Sequence, residues 1–393
     1  MNMRVKARKH KTYASFVFFI FAFFFVSPAL SPAIGGNTIY LSWFIPFLDI
    51  NFDVHFINKI ATMKAKKNAV IAVYFLIIII ILHGNYMFFI KVLSIAFSVF
   101  YLQYSYTRLG FKKLYTAFNI NIFIAVLQFI LYFVNSEISH IIGPSNISRI
   151  FWGKYSTQTN TNFYPVFYFP RTCGLSREAG FFAALLCVII IIYTVDTNIK
   201  KSRIQKLLFF IAYIVSFSKM SVALPAMLIV LRYRKQINRV SLMKITLLFV
   251  FIMGILVNYL SQSGSFRLLG GSIAHRLWGY EMIFNRLGIR EFFIGNAHGA
   301  RGLNRDTLHA FSFYNELETH GWTTFCGLPS LVIYTGYIGL IGFLILMKSL
   351  KVKSSYFMIL IIATIDVDFT TATSFVVLAY WLTVYASRKG FYL

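Results

Sequence analysis

The chain has 393 residues, of which 58% are apolar and only 13% are charged, and its mean hydropathy is +0.69. This composition excludes a water-soluble enzyme and is typical of a chain whose main solvent is a lipid bilayer. The formal net charge of +26 would favour nucleic-acid binding in a soluble protein, so the positions of the charges decide what it means.

Apolar stretches long enough to cross a bilayer alternate with short basic clusters along the chain. They predict an all-α polytopic membrane protein with about 12 transmembrane helices, built as a single integral membrane domain over residues 1–393. The predicted crossings are residues 13–30, 38–57, 69–82, 86–107, 114–134, 178–195, 207–218, 220–231, 245–260, 329–347, 356–367 and 371–387.

The distribution of basic residues orients these crossings through the positive-inside rule. Segments assigned to the cytoplasm contain 26 of the 38 lysines and arginines and a single acidic residue, Asp196, whereas the outer loops contain ten basic residues. Most of the charge therefore orients the chain and contacts anionic lipid, and no nucleic-acid partner is expected. Both termini are predicted to be cytoplasmic.

Two apolar stretches are interpreted as helical hairpins because basic residues flank both of their ends. Residues 207–231 are predicted to divide near Lys219, and residues 356–387 within the polar segment 366–374. Lys219 then lies between apolar helices, where a cation indicates either a function or a shallow, hydrated hairpin tip.

The sequence offers little support for a cofactor. Asp366 and Asp368 form a DxD pattern, which holds a metal and a nucleotide in some glycosyltransferases, but at an outer turn they are interpreted as helix ends. The odd number of cysteines predicts no disulfide framework, although Cys173 and Cys326 both lie in outer loops and could pair. No common zinc or ATP-binding motif occurs.

Chemistry is expected in two long outer segments, residues 135–177 and residues 261–328. The second segment contains six arginines and no lysine, whereas lysine is common in the cytoplasmic clusters. This bias favours an anion-binding site, because a guanidinium group donates two parallel hydrogen bonds to a phosphate or carboxylate. The alternative is a solvated loop whose arginines balance its own acidic residues.

A helix is predicted in this large loop at residues 307–319, with Asp306 as its N-cap. Glu316 lies four residues before His320, a spacing that would let the carboxylate orient the imidazole and raise its basicity. His309 lies on the same predicted face. The alternative is that these histidines only cap or pair locally.

Four segments resemble, in the same order, motifs of the O-antigen polymerases and ligases. The first has an arginine, a glycine and a glutamate before small residues, and the second is a helix break in which Lys219 replaces the arginine of the family. The third joins an Arg-Leu-aromatic element to a Phe-Gly element, and the fourth is a glycine-rich helix. The segments are residues 171–183, 216–221, 275–278 with 292–296, and 336–342.

The chain departs from the ligase pattern, in which a histidine stands eleven residues before the first glycine of that helix, because Phe325 has this place. The resemblance therefore implies a Wzy-type polymerase of the bacterial inner membrane, with a GT-C-like bundle and a large periplasmic loop between late helices. Such an enzyme would transfer a growing glycan from undecaprenyl diphosphate to the terminal sugar of an undecaprenyl-diphosphate-linked repeat unit. The reaction would take place at the periplasmic face and would use no metal or other cofactor.

Position and chemistry assign roles to individual residues within this implied reaction. Glu178 would orient an arginine or contact a sugar. His320, oriented by Glu316, would take the proton of the acceptor hydroxyl, with His309 as the second choice. Binding of the diphosphate or the glycan is expected from Arg171, Arg177, Lys219, Arg276 and Arg290.

The implied partners are membrane lipid and, in the same pathway, a chain-length regulator and a flippase. Two other functions remain open. A ligase would transfer the glycan to lipid A core and differs from a polymerase in the acceptor that it consumes. A flippase for lipid-linked oligosaccharide, or another transporter, would be expected to line a path at the membrane midplane with charged residues and helix breaks in related halves.

Overall fold

The structure is a computed structural model that describes residues 2–34, 37–55, 86–157, 165–166, 168–319 and 324–386. Most of these residues are helical, as the composition predicts. The helices are α1 (Asn2–Val26), α2 (Tyr86–Leu109), α3 (Lys112–Val134), α4 (Ser136–Ile141), α5 (Pro144–Trp152), α6 (Ala179–Val195), α7 (Arg203–Ser216), α8 (Ala223–Arg232), α9 (Arg234–Ile237), α10 (Leu242–Gln262), α11 (Gly271–Glu281), α12 (Ile289–Ile294), α13 (Arg305–His309), α14 (Tyr314–Thr319), α15 (Leu328–Ser349), α16 (Ser354–Ala363) and α17 (Ser374–Tyr385).

Shorter elements connect the helices. Two antiparallel pairs of two-residue strands are described, β1 (Ala33–Ile34) with β2 (Asn37–Thr38) and β3 (Pro165–Val166) with β4 (Phe169–Pro170). Residues 282–286 continue α11 as a π-helical turn. The 3-10 turns are Pro28–Leu30, Leu41–Trp43, Ile45–Leu48, Gly153–Tyr155, Lys219–Val222, Ser265–Leu269 and Gly299–Gly302.

Four helices in the described part of the chain, α2, α3, α10 and α15, are long and apolar enough to cross a membrane. They coincide with four of the predicted crossings, and they indicate a membrane-embedded helical protein. Shorter apolar helical stretches are residues Thr12–Val26 of α1 and the helices α6, α16 and α17. The predicted crossing at residues 69–82 lies outside the described residues.

Residues 38–57 do not form the continuous helix that their hydropathy predicts, as far as residue 55. They form two successive 3-10 turns and, after Asp49, a helical segment over residues 50–55. Pro46 has no amide hydrogen for a helical hydrogen bond, and the backbone of Asp49 is non-helical, with φ −93° and ψ 85°. The Asp49 side chain instead accepts a bond of 3.4 Å from the amide of Phe52.

Both predicted hairpins divide where polar residues interrupt the apolar stretch. Helix α7 ends at Ser216, and α8 begins at Ala223 after a 3-10 turn that contains Lys219. Phe217, between them, has a left-handed backbone with φ 38°. In the second stretch, α16 ends at Ala363 and α17 begins at Ser374. The two helix breaks are therefore confirmed.

Helix α6 lies at the centre of the bundle, since nearly all of its side chains are buried. It packs against α7, α8 and α17. Helices α1, α2 and α3 form a neighbouring layer whose core is largely aromatic, including Phe18, Tyr101 and Phe111. Trp381 of α17 joins the layers: its ring contacts Phe111, and its indole N–H donates to Gln103 at 3.1 Å.

The large loop contains two short helices, α13 and α14, in place of the single helix predicted at residues 307–319. The N-cap is Asn304, whose side chain accepts from the amide of Asp306, so the assignment of Asp306 was wrong. The chain turns between the helices because Phe311 is buried against Phe266 and Trp278. Ala310, which follows α13, is exposed.

Helix α12 packs against a kink in α15 at Gly336, where the backbone has φ 68° and ψ 179°. A Cβ atom at Gly336 would overlap the carbonyl group of Phe293, and one at Gly295 would overlap the backbone of α15. The amide of Asn296 donates to the carbonyl of Ile333 at 2.6 Å. The two backbones therefore require glycine at this contact.

We expect Gly336→Ala to destabilise the protein by a few kcal/mol, because alanine is strained at positive φ and its methyl group also meets the backbone of α12. Gly110→Ala is the matched control, since Gly110 has the same φ of 68° and nothing within 4 Å of its Cβ position. The measurement is the thermal unfolding midpoint of each variant in detergent. Equal losses in the two variants would contradict the proposed close contact.

Candidate anion-binding site

Three arginines and two carboxylates meet at one end of the bundle. We call them the arginine–carboxylate cluster: Arg171, Arg177, Glu178, Arg276 and Asp366. Glu178 interacts electrostatically with all four of the others, although they come from three separate parts of the chain. A Cβ atom on Gly180 would lie 3.4 Å from both a Glu178 oxygen and an Asp366 oxygen, so both carboxyl groups approach the first turn of α6.

The segment that carries Arg171, Arg177 and Glu178 is held by two buried amides of α3. Gln128 donates to the carbonyl of Gly174 at 2.9 Å and accepts from its amide at 2.9 Å. Asn121 accepts from the amide of Leu175 at 2.7 Å. These bonds satisfy peptide groups that would otherwise be unpaired among apolar helices.

Glycine is required at position 174 of this segment. Its φ is 55°, and a Cβ atom there would overlap the side chain of Asn121. The chain then extends to Glu178, which precedes the first residue of α6. The conformation of this short segment therefore determines the positions of the Arg177 and Glu178 side chains.

Arg276 makes the closest contact in the cluster, an ion pair of 2.6 Å between its Nη2 and Oδ1 of Asp366. The two side chains are only 20% and 15% exposed. Nη1 of Arg276 donates to the carbonyl and the hydroxyl of Ser272, both at 2.6 Å. Both terminal nitrogens are thus held, and the plane of the guanidinium is fixed on α11.

Asp366 and Asp368 have different roles in the turn between α16 and α17. Asp368 accepts from the amide and the hydroxyl of Thr370, each at 2.8 Å, and so stabilises the turn locally. The sequence analysis interprets both aspartates as residues at helix ends, and this interpretation fits Asp368. Asp366 instead pairs with Arg276, a partner that the sequence analysis missed because no local pattern joins residues this far apart.

His275, beside Arg276, is a neutral imidazole. Its Nε2 lies 3.0 Å from the carbonyl oxygen of Thr324 and 3.6 Å from Sγ of Cys326. Burial lowers the pKa of His275 to about 4, and the charge of Arg276 acts in the same direction. The imidazole therefore adds no positive charge to the cluster near neutral pH.

The cysteines near the cluster are unpaired thiols, as predicted for the chain as a whole. Burial, followed by the charge of Glu178, raises the pKa of Cys173 to about 12. Burial and the charge of Asp366 likewise raise the pKa of Cys326 well above its ordinary value. Neither thiol is activated as a nucleophile, because the reactive form is the thiolate.

Some charged residues of the large loop are structural. The carboxylate of Glu281 is fully buried, where it accepts from Asn285 at 2.8 Å and from Ser261 at 3.2 Å. Arg286 lies 3.4 Å from it. The alternative prediction, that loop arginines balance acidic residues of the same loop, therefore describes Glu281 and Arg286. The Glu281 carboxylate also links the turn after α11 to Ser261 of α10.

Five of the predicted site residues are not placed in the cluster. Lys219, Arg290 and Glu316 are exposed. His309 is exposed as well, and its Nδ1 lies 2.9 Å from the side-chain oxygen of Asn315. His320 lies outside the described residues. The structure thus brings together Glu178 and three of the predicted anion-binding arginines.

No family model, curated protein or solved structure matches this chain.

Stability should fall when the pH is lowered from 7 to 4.5, in part because of His275. Its pKa is lower in the folded protein than the ordinary value of 6.5, so between these values the unfolded chain binds a proton that the folded chain rejects. The loss attributable to His275 at pH 4.5 should be about 2 kcal/mol. The unfolding midpoint in detergent, followed at several pH values, measures it.

His275→Gln is the control for this effect, since glutamine keeps a donor for the Thr324 carbonyl but does not titrate. Its stability should depend less on pH than that of the unchanged protein, while the carboxyl groups common to both contribute equally. The same pH dependence in both proteins would exclude the buried, neutral imidazole.

Proposed function

We propose that this chain is a polysaccharide polymerase of the O-antigen type, acting at the periplasmic face of the bacterial inner membrane. It would transfer a growing glycan from undecaprenyl diphosphate to the terminal sugar of a second lipid-linked repeat unit. The observation that carries the proposal is the arginine–carboxylate cluster, located at one end of a bundle of apolar helices.

The composition of the cluster supports an anionic substrate. The cluster contains three guanidinium groups and two carboxyl groups, which leaves an excess of positive charge when both acids are ionised. The Nε atom of Arg171 is buried and has no hydrogen-bond partner in the described part of the chain. A buried donor without a partner costs free energy, which a phosphate oxygen would recover.

The proposed reaction forms one bond and breaks one. The acceptor hydroxyl attacks the anomeric carbon of the donor glycan, the bond from that carbon to the diphosphate oxygen breaks, and undecaprenyl diphosphate leaves with the electron pair. Negative charge develops on the leaving diphosphate, where Arg171 and Arg276 would stabilise it. Arg276 is preorganised for this role by Asp366 and Ser272.

A general base is needed for the proton of the acceptor hydroxyl. Glu178, which the sequence analysis expects to orient an arginine or contact a sugar, is our choice within the described residues, because it lies beside the three arginines. His320, with Glu316, stays a prediction from the sequence. A carboxylate adjacent to the leaving diphosphate would take up the proton close to where the new glycosidic bond forms.

Replacing Arg276 with lysine should strongly reduce polymer length while leaving membrane insertion unchanged. Lysine keeps the positive charge, but its single nitrogen cannot bond Ser272 and Asp366 in the geometry of the guanidinium. Removing one donor that stabilises charge in a transition state typically costs about 10²- to 10³-fold in rate. The measurement is glycan length on gels from cells that express equal amounts of each protein.

Arg301→Lys is the matched control, because Arg301 belongs to the same loop but is exposed. It should give chain lengths like those of the unchanged protein. If Arg276→Lys gives glycan of unchanged length, the geometry of the Arg276 guanidinium has no role in catalysis. With purified protein, the acceptor consumed distinguishes a polymerase, which extends a lipid-linked repeat unit, from a ligase, which glycosylates lipid A core.

The proposed orientation can be tested with single cysteines at exposed positions. Arg301→Cys should react with a membrane-impermeant maleimide added to intact cells, whereas Lys235→Cys and Lys351→Cys should react only after the membrane is opened. The three native cysteines are buried, so their background labelling should be low. If the maleimide does not label Arg301→Cys in intact cells, a reaction at the periplasmic face is excluded.

A further inference from the structure

Three phenylalanine rings form a nearly parallel stack beside the cluster. The rings belong to Phe129 of α3, Phe169 of β4 and Phe217, the residue after α7, and their interplanar angles lie between 6° and 13°. The ring centroids form a triangle, with distances of 6.4 Å between Phe129 and Phe169, 5.1 Å between Phe169 and Phe217, and 6.2 Å between Phe129 and Phe217. Phe133, one turn along α3, contacts the edge of Phe169. We call these four residues the phenylalanine stack.

One residue of the stack, Phe217, has an unfavourable backbone conformation. Phe217 is one of two non-glycine residues with positive φ in the described part of the chain, with φ 38° and ψ 35°. A bulky residue avoids this region because its Cβ meets the backbone, so such conformations concentrate at functional sites. Phe169 is nevertheless 42% exposed and Phe133 is 55% exposed, so the stack has an open apolar side.

From the helix lengths we expect Phe129 to lie below the membrane surface. Helix α3 has 23 residues and can cross the bilayer, and Phe129 lies five residues, or about 8 Å, before its end. Helix α7 has 14 residues and extends only about 21 Å, which is shorter than a hydrocarbon core of about 30 Å. The stack therefore lies beside the end of the shorter helix α7.

The segment that forms the stack continues directly into the cluster. Arg171 follows Phe169 by two residues, and the amide and the hydroxyl of Thr172 both donate to the carbonyl of Val215, near the end of α7. Arg171, whose Nε has no hydrogen-bond partner among the described residues, thus lies two residues from an exposed apolar side chain. A positively charged site next to an apolar surface is complementary to an anion with an apolar tail.

We propose that the phenylalanine stack binds the isoprenoid tail of a polyprenyl diphosphate, next to the diphosphate. This assignment rests on the proposed function and identifies the part of the substrate that the stack recognises. The tail must leave the cluster along an apolar surface, and the stack provides such a surface two residues from Arg171. Its exposed ring faces and edges suit an unsaturated hydrocarbon, which gains from apolar burial and from contact with aromatic rings.

The test compares two donors that share the same diphosphate and glycan, one with a long polyprenyl tail and one with a short, water-soluble isoprenoid. Phe169→Ser should raise KM for the long-tailed donor about tenfold or more and leave KM for the short donor unchanged. Phe123→Ser is the matched control, because Phe123 lies on the same α3 and is 66% exposed but is outside the stack. It should change neither KM.

Photo-crosslinking of the unchanged protein provides a second measurement that does not depend on a folded variant or on turnover. The probe is a sugar-free polyprenyl diphosphate with a photoreactive group on the first isoprene units. Labelling within residues 129–133, 168–172 or 216–219 supports the assignment. Labelling only elsewhere, or an equal effect of Phe169→Ser on both donors, overturns it. If the unchanged protein transfers no glycan from either donor, the proposed function fails, and the crosslink still decides the tail site.

Discussion

The requirement that a buried peptide group find a hydrogen-bond partner determines the structure around the arginine–carboxylate cluster. The segment from Arg171 to Glu178 enters a bundle of apolar helices, where water cannot satisfy its backbone. Gln128 and Asn121 supply the missing donors and acceptors from α3. Because both amides are buried, they in turn depend on this segment, so the charged cluster and the packing of α3 stabilise each other.

Local sequence patterns predict much of this architecture. The breaks at Lys219 and between α16 and α17 are encoded by polar residues inside apolar stretches, and the charge distribution distinguishes a hairpin from one long helix. Glu178 and the arginines at positions 171, 177 and 276 are also recognisable, because the planar guanidinium has a chemical use that lysine does not share. These properties belong to single residues or to one helical turn.

The remaining features depend on contacts between distant segments. Asp366 pairs with Arg276 across ninety residues, and nothing around Asp366 distinguishes it from the turn residue Asp368. Residues 307–319 have a helical pattern, yet burial of Phe311 against Phe266 divides them. The amides Gln128 and Asn121 carry a weaker signal: they are two turns apart in an apolar helix, where polar side chains are expensive.

The contact of Gly295 with Gly336 determines how the large loop can move. With two backbones in direct contact and a hydrogen bond from Asn296 to Ile333, α12 and the kinked part of α15 cannot slide past each other without opening a void. We therefore expect α12 and this part of α15 to move together as one rigid unit. Any rearrangement of the loop would therefore hinge on either side of this contact, and a displacement of α12 would tilt the first turns of α15, which lie next to Cys326 and the cluster.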